Sequence, residues 1–201
     1  MLKITAGQAR GRKLKSPPGR DVRPTPVRVR EALFNMLGAA FVRDARMLEL
    51  FAGSGVMGME ALSRGAAQVC SVERDNATLK LLGENLALCG FADQARLVRG
   101  SAVAESVLRQ TLSAAPEGFD LLFLDPPYGQ GLAQQAVDLV ARLNLLRDGA
   151  VAVAEHERGA SVLAPSPAWR LWQTREYGQT AVTLWCVGRE NSDLESSPDH
   201  E

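Results

Sequence analysis

Hydrophobic and polar positions follow two alternating rhythms along most of the chain. Residues 46–51, 68–73, 96–99, 119–124 and 150–155 are short runs dominated by apolar side chains, the pattern of strands buried on both faces. Between them, residues 59–63, 75–88, 102–112 and 131–143 read as helices. Strand and helix in regular alternation predict a parallel sheet covered by helices on both sides. The last third departs from this rhythm. Residues 170–176 and 180–187, joined by Tyr177-Gly178-Gln179, read as a hairpin that closes the sheet edge in antiparallel fashion.

Ahead of the first strand, Leu2-Lys3-Ile4-Thr5 and Arg12-Lys13-Leu14-Lys15 alternate in polarity around Ala6-Gly7-Gln8-Ala9-Arg10-Gly11, which predicts paired extended segments. Ser16-Pro17-Pro18-Gly19 breaks regular structure. Arg23-Pro24-Thr25-Pro26 then leads into a helix, with Thr25 as N-cap and Pro26 at the first helical position. The helix is expected to run from Val27 to about Phe41, with Val29, Leu33, Met36, Leu37 and Ala40 on its buried stripe and Arg28 and Arg30 facing away from it. Residues 189–201 carry five acids against Arg189 and almost no apolar side chains, the composition of a disordered tail. The expected organisation is an N-terminal extension over 1–42, a main domain over 43–188 and an acidic tail over 189–201.

Composition narrows the class. A chain of 201 residues with 46% hydrophobic content suits one buried core and a small appendage. No apolar run approaches the length of a membrane span and the N-terminus lacks a signal-peptide core, so a soluble cytoplasmic protein is expected. Cys70, Cys89 and Cys186 form no CxxC pair, which predicts reduced thiols and no metal site. The net charge of zero conceals an asymmetry: residues 1–30 hold nine basic side chains against Asp21 alone, or +8, which leaves −8 on the rest. A basic arm on an acidic body predicts binding to a polyanion, with Arg10, Arg12, Lys13, Arg23, Arg28 and Arg30 as backbone contacts. A merely solvated tail is the competing reading.

Two stretches carry chemistry. Gly53-x-Gly55-x-x-Gly58 follows a strand and opens a helix, and its glycines let backbone approach a ligand and the helix pack close to the sheet. Glu49, just ahead of this loop, would repel a phosphate and attract a cation, which favours a ligand with an ammonium group such as S-adenosylmethionine over a dinucleotide. Glu73, at the end of the second strand, is placed to accept two ribose hydroxyls. Pairing of Glu49 with an arginine and helix capping by Glu73 are the plain structural alternatives.

Asp125-Pro126-Pro127-Tyr128 is the more specific signal. It ends a buried strand with a carboxylate, a rigid corner and a ring. The exocyclic amine of a base is a poor nucleophile because its lone pair is delocalised into the ring. The Asp125 carboxylate and the Pro126 carbonyl would hold its hydrogens and favour lone-pair development toward an electrophile, while Tyr128 offers a surface for base stacking. Pro127 keeps the corner rigid. His156, between Glu155 and Glu157, is read as a loop residue without a catalytic task, since amine attack on a methyl group needs no prior deprotonation.

Asp-Pro-Pro-Tyr is a form of the (D/N/S)PP(Y/F/W) motif of amino-methyltransferases, and residues 48–58 look like their S-adenosylmethionine motif. Together with Gly7-Gln8-x-Arg10-Gly11-Arg12-Lys13-Leu14, Arg23-Pro24-Thr25-Pro26-x-Arg28-Val29-Arg30-Glu31-x-Leu33-Phe34-Asn35 and Glu60-Ala61-Leu62-Ser63-Arg64, they resemble the RsmD family, which methylates the N2 amino group of one guanine in 16S ribosomal RNA. The resemblance implies a class I S-adenosylmethionine-dependent methyltransferase, an α/β Rossmann-like fold with a seven-stranded, mostly parallel sheet. It implies cofactor contacts from Glu49, Phe51, Gly53, Ser54, Gly55, Gly58, Glu73, Asn76, Ser101, Ala102 and Asp125, and guanine contacts from Asp125, Pro126, Pro127 and Tyr128. The implied partner is 16S rRNA within a small ribosomal subunit, met by a monomer. Two positions depart from the family pattern. Val27 stands where an acid is usual, and Ser101 replaces the aspartate often found after the third strand, so a hydroxyl or backbone contact to adenine is expected there. A DNA adenine-N6 or cytosine-N4 methyltransferase, a non-catalytic RNA-binding assembly factor and a nucleotide-dependent dehydrogenase are the competing functions.

Overall fold

The computed structural model describes residues 2–16 and 26–188. The predicted tail, the Thr25 cap and Arg23 lie outside the described residues. The elements, in chain order, are α1 (Val27–Leu37), α2 (Ala39–Val42), β1 (Arg46–Leu50), α3 (Val56–Ser63), β2 (Gln68–Glu73), α4 (Asn76–Cys89), β3 (Ala95–Arg99), α5 (Glu105–Thr111), β4 (Phe119–Leu124), α6 (Leu132–Arg142), β5 (Leu146–Glu157), β6 (Trp169–Tyr177) and β7 (Thr180–Val187), with a short 3-10 turn at Ala92–Gln94. The strands form one sheet in the order β3-β2-β1-β4-β5-β7-β6. β1 to β5 pair in parallel, and β7 pairs antiparallel with both β5 and β6. This is the seven-stranded, mostly parallel α/β sheet with an antiparallel C-terminal hairpin that the pattern and the resemblance implied.

The sheet is covered on both faces because β1, β2 and β4 expose almost nothing on either side. Alternate strand residues feed two separate cores. Met47, Val69, Leu121, Phe123, Val151 and Val153 pack against α1, α3, α4 and the N-terminal segment. Leu48, Leu50, Val72, Leu122, Leu124 and Ala152 pack against α5 and α6.

The N-terminal segment belongs to the first core. Leu2, Ile4, Ala9 and Leu14 are buried in it, and burying a leucine or isoleucine side chain contributes about 1.5–3 kcal/mol. The predicted paired extended segments are present as a single antiparallel bridge, Lys3 to Lys13, flanked by Ile4 N–H to Arg12 O and Leu14 N–H to Leu2 O hydrogen bonds. Gly7 turns the chain over the end of α3 with φ +77°, and a Cβ there would stand 1.7 Å from the Ser63 carbonyl oxygen. No other residue type fits that approach.

Three expectations are corrected. The first helix ends at Leu37, because Gly38 takes φ +76° and ψ 150° and the chain restarts as α2, which leaves Ala40 exposed. Its N-cap is Pro26, one position later than expected. Arg30 faces inward. It is 1% exposed and donates from Nη2 to the Lys3 carbonyl at 2.8 Å, so it ties α1 to the N-terminal hairpin. The sequence pattern missed this because a guanidinium with a buried carbonyl acceptor can occupy a core position that periodicity reserves for apolar residues.

Candidate active site at the strand ends

β1 and β4 are neighbours in space although their helical connections leave in opposite directions, to α3 on one face and from α5 on the other. The carboxyl ends of strands at such a switch point form a crevice. Register places four segments there. Leu50 pairs with Val72 and Leu124, and Leu124 with Ala154, so the chain beyond β1, Glu73, Asp125 and Glu155 stand at one level.

The loop after β1 is built by positive backbone angles. Phe51, Gly53 and Gly55 have φ of +57°, +54° and +73°. At Gly55 a Cβ would lie 2.6 Å from Leu82 Cγ, and at Gly58 one would lie 2.8 Å from Glu49 Oε2 and from Val69 Cγ1, so these two glycines let α3 press onto α4 and the sheet. At Gly53 a Cβ would meet only the Phe51 carbonyl oxygen, at 3.9 Å. Gly53 therefore leaves open space on the crevice side. Ser54 is buried, and its carbonyl accepts from Asn85 Nδ2.

Glu49 does something other than expected. It is buried beneath the loop, where Oε1 accepts the Gly58 N–H at 3.0 Å and Oε2 accepts the Ser71 hydroxyl at 2.7 Å. The Met57 N–H also points at it. Burial pushes its carboxyl up to about 7, against the lowering effect of these hydrogen bonds. A direct attraction of a ligand cation by Glu49 is thus corrected: its carboxylate caps the first turn of α3 from within. The outcome for ligand choice is the same by another route. The Met57 and Gly58 N–H groups, which could face a pyrophosphate at the start of such a helix, are already taken by Glu49.

Glu73 is half-buried at the crevice. Oε2 accepts the Gly53 N–H at 3.0 Å and Oε1 accepts the Asp75 N–H at 2.8 Å. Each oxygen keeps a further lone pair, so a vicinal diol fits this acid. Glu73 does not cap α4; Asp75 does, by accepting from Thr78 N–H and Oγ1. Asn76 is exposed at the first turn of α4, Ser101 is half-buried after β3 and accepts weakly from Val103 N–H at 3.5 Å, and Ala102 is buried. An open loop at Gly53, a diol acceptor at Glu73 and an internally capped α3 fit a nucleoside whose charge is cationic.

At the end of β4, Asp125 is half-buried, Pro126 buried, and Pro127 and Tyr128 exposed. Among the described residues neither the Asp125 carboxylate nor the Pro126 carbonyl accepts a hydrogen bond, so both acceptors remain open. Burial raises the Asp125 carboxyl well above the usual carboxylate range, and neighbouring Glu155 raises it further. The Tyr128 ring is 40% exposed and its hydroxyl lies 2.9 Å from Thr180 Oγ1.

His156 is not in a loop. It continues β5, is buried, and turns to the face opposite Asp125, with Nε2 2.8 Å from Thr183 Oγ1 and Nδ1 3.1 Å from the Glu157 carbonyl oxygen. Arg10, Arg12, Lys13 and Arg28 are exposed. Among the described residues no group of acids, histidines and cysteines is suited to hold a metal ion, Cys70, Cys89 and Cys186 form no disulfide, and no helix is long and apolar enough to cross a membrane. Two cavities among the described residues, of about 450 and 430 Å³, lie at Trp169 and Arg142 and at Gly7 and Phe34, away from the crevice.

Sequence reasoning missed Glu60, Asn85, Glu155 and Thr180. Glu60 and Asn85 hold the N-terminal hairpin, through Thr5 and Ala6 and through Lys15. Glu155 had a usable signal, as an acid ending the strand that follows Asp125.

A family profile described as "Conserved hypothetical protein 95" matches residues 2–186. Ribosomal RNA small subunit methyltransferase D of Escherichia coli (strain K12) is 39% identical over 184 residues, which span 92% of this chain and 89% of that protein. The solved structure of a hypothetical protein of Thermus thermophilus superposes with a TM-score of 0.77 at 34% identity, covering 93% of this chain and 100% of the other. The fold alone is shared with an RNA methyltransferase from Salinibacter ruber solved with S-adenosyl-L-homocysteine, at TM-score 0.57 and 18% identity, over 88% of this chain and 97% of the other.

Proposed function

The chain belongs to the family of ribosomal RNA small subunit methyltransferase D, and we propose on that premise that it transfers a methyl group from S-adenosylmethionine to the exocyclic N2 amine of one guanine in 16S rRNA. The observation that carries the reading is the pair of open acceptors at Asp125 and Pro126, one strand away from the loop that Glu49 caps and Glu73 borders.

S-adenosylmethionine supplies an electrophilic methyl group on a sulfonium. Glu73 would hold its ribose, Gly53 would give its chain room, and Ser101 and Asn76 would border its adenine. Asp125 and the Pro126 carbonyl accept the two hydrogens of the amine, which turns its lone pair out of conjugation and along the line of transfer. Tyr128 stacks on the base, a task for a nucleotide drawn out of its helix. Once nitrogen has gained the methyl group it is cationic and must lose a proton. The half-buried Asp125, with its raised proton affinity, is a fitting acceptor.

The exposed Arg10, Arg12, Lys13 and Arg28 support binding to RNA phosphates. Arg30 is withdrawn from that set by its burial. The protein acts in the cytoplasm, as a monomer, on the small subunit particle. The decisive experiment incubates it with labelled S-adenosylmethionine and small subunits from a strain that lacks the enzyme, followed by nucleoside analysis. N2-methylguanosine is expected; label in another nucleoside, or in DNA, refutes the reading.

A further inference from the structure

Glu155 is 3% exposed, yet it sits at the crevice end of β5 and on the same face of the sheet as Asp125. Its carboxylate meets the Tyr128 hydroxyl, which also lies 2.9 Å from Thr180 Oγ1. With Glu155 ionised it only accepts, and a phenol has a single proton, so Tyr128 then donates to Glu155 and accepts from Thr180. Thr180 opens β7, whose Val182 stands opposite Glu155 across the β5–β7 ladder. The hydroxyl of an otherwise exposed ring is thus anchored to two adjacent strands. Stacking needs only the ring, so this anchorage has to be explained separately.

We propose that Glu155 is a positioning residue for methyl transfer: together with Thr180 it fixes the Tyr128 ring over the Asp125 corner, so that the base stacks with its amine held against Asp125 and Pro126. The inference rests on the amino-methyltransferase reading above. Without the anchor, the ring turns freely about its side-chain bonds, and a base stacked on it spends less time in reach of both acceptors. The consequence is expected in turnover and not in binding of the cofactor, because β5 stands two strands away from β1 and its glycine loop.

The test combines kinetics with a readout that does not depend on activity. With unmethylated small subunits, Glu155→Ala and Tyr128→Phe are each expected to lower kcat about tenfold, the scale of one lost hydrogen bond to a charged group. KM for S-adenosylmethionine should stay unchanged. The double variant should be no slower than either single one, and Glu155→Gln, which keeps an acceptor, should recover to within about threefold of the parent. Losses that multiply in the double variant overturn the proposal. Independently, the chain has two tyrosines, so fluorotyrosine labelling yields two resonances, with Tyr128→Phe assigning them. Glu155→Ala should shift and narrow the Tyr128 line and leave Tyr177 in place. An unmoved Tyr128 line refutes the anchor even if the parent methylates nothing, whereas an inactive parent with a shifted line refutes only the rRNA reading.

Discussion

Two carboxylates of the molecule, Glu60 and Asp125, differ in what surrounds them. Glu60, fully buried on α3, accepts from Thr5 N–H, Thr5 Oγ1, Ala6 N–H and Arg64 Nε, all within 3.1 Å. The guanidinium of Arg64 also stacks over Phe34, 4.8 Å from its centroid. At the crevice, Asp125 has no donor among the described residues and faces a second acid, Glu155, across the β4–β5 register. Donors that converge on a buried acid make it a clamp, because removing the acid strands them all. A half-buried acid beside another acid keeps its lone pairs open and, once ionised, is a stronger acceptor than an ordinary carboxylate.

The contrast breaks first at the clamp. Glu60→Ala leaves Thr5, Ala6 and Arg64 without their acceptor and should destabilise the protein by about 3–5 kcal/mol in chemical denaturation, while Asp125→Ala should leave the midpoint nearly unchanged. Asp125→Ala should instead lower single-turnover methyl transfer about 100- to 1000-fold with RNA binding retained; an active Asp125→Ala enzyme removes the corner from the mechanism. Glu49 tests a third arrangement, a buried acid with a full set of donors and a carboxyl near 7. Its folded-state value is raised, so the stability it contributes is fully present below about 4.5 and is lost as pH rises through about 7. Stability should therefore fall by about 3 kcal/mol across that window, and Glu49→Gln should flatten the fall in denaturation curves taken at several pH values.

Asp125 must be ionised to accept the amine hydrogens, so kcat should rise with pH over a range above that of an ordinary aspartate. Glu155→Gln, which removes the neighbouring charge, should move this limb to lower pH. The smallest effect is expected at the surface. Arg28→Ala should reduce the salt dependence of RNA binding by about one unit of slope and leave stability untouched, whereas Arg30→Ala should cost stability, because that guanidinium is buried against Lys3.

Much of the fold was legible before any coordinates. β2, β4 and β7 lie where the hydrophobic runs put them, residue for residue, because strands buried on both faces must be continuously apolar. The helices were displaced by a few residues at their ends, where capping geometry decides. The corner after β4 was legible too, since two prolines after a buried strand leave little choice of conformation. What the pattern could not reveal was polar burial. Arg30, Glu49, Glu60, Asn85 and His156 are buried, and nothing in their spacing marks them, since each is stabilised by partners distant in sequence.

By itself, the amino-acid sequence determined the alternating elements, the glycine loop, the Asp-Pro-Pro-Tyr corner and the basic N-terminus, because each depends on local periodicity, backbone freedom or composition. Only the tertiary structure decided that the basic segment is riveted to α3 through Glu60 and Gly7, that Glu49 works inside the loop, and that Glu155 stands beside Asp125. Those are pairings across strand order and between helices, and strand order follows from the packing of the whole sheet.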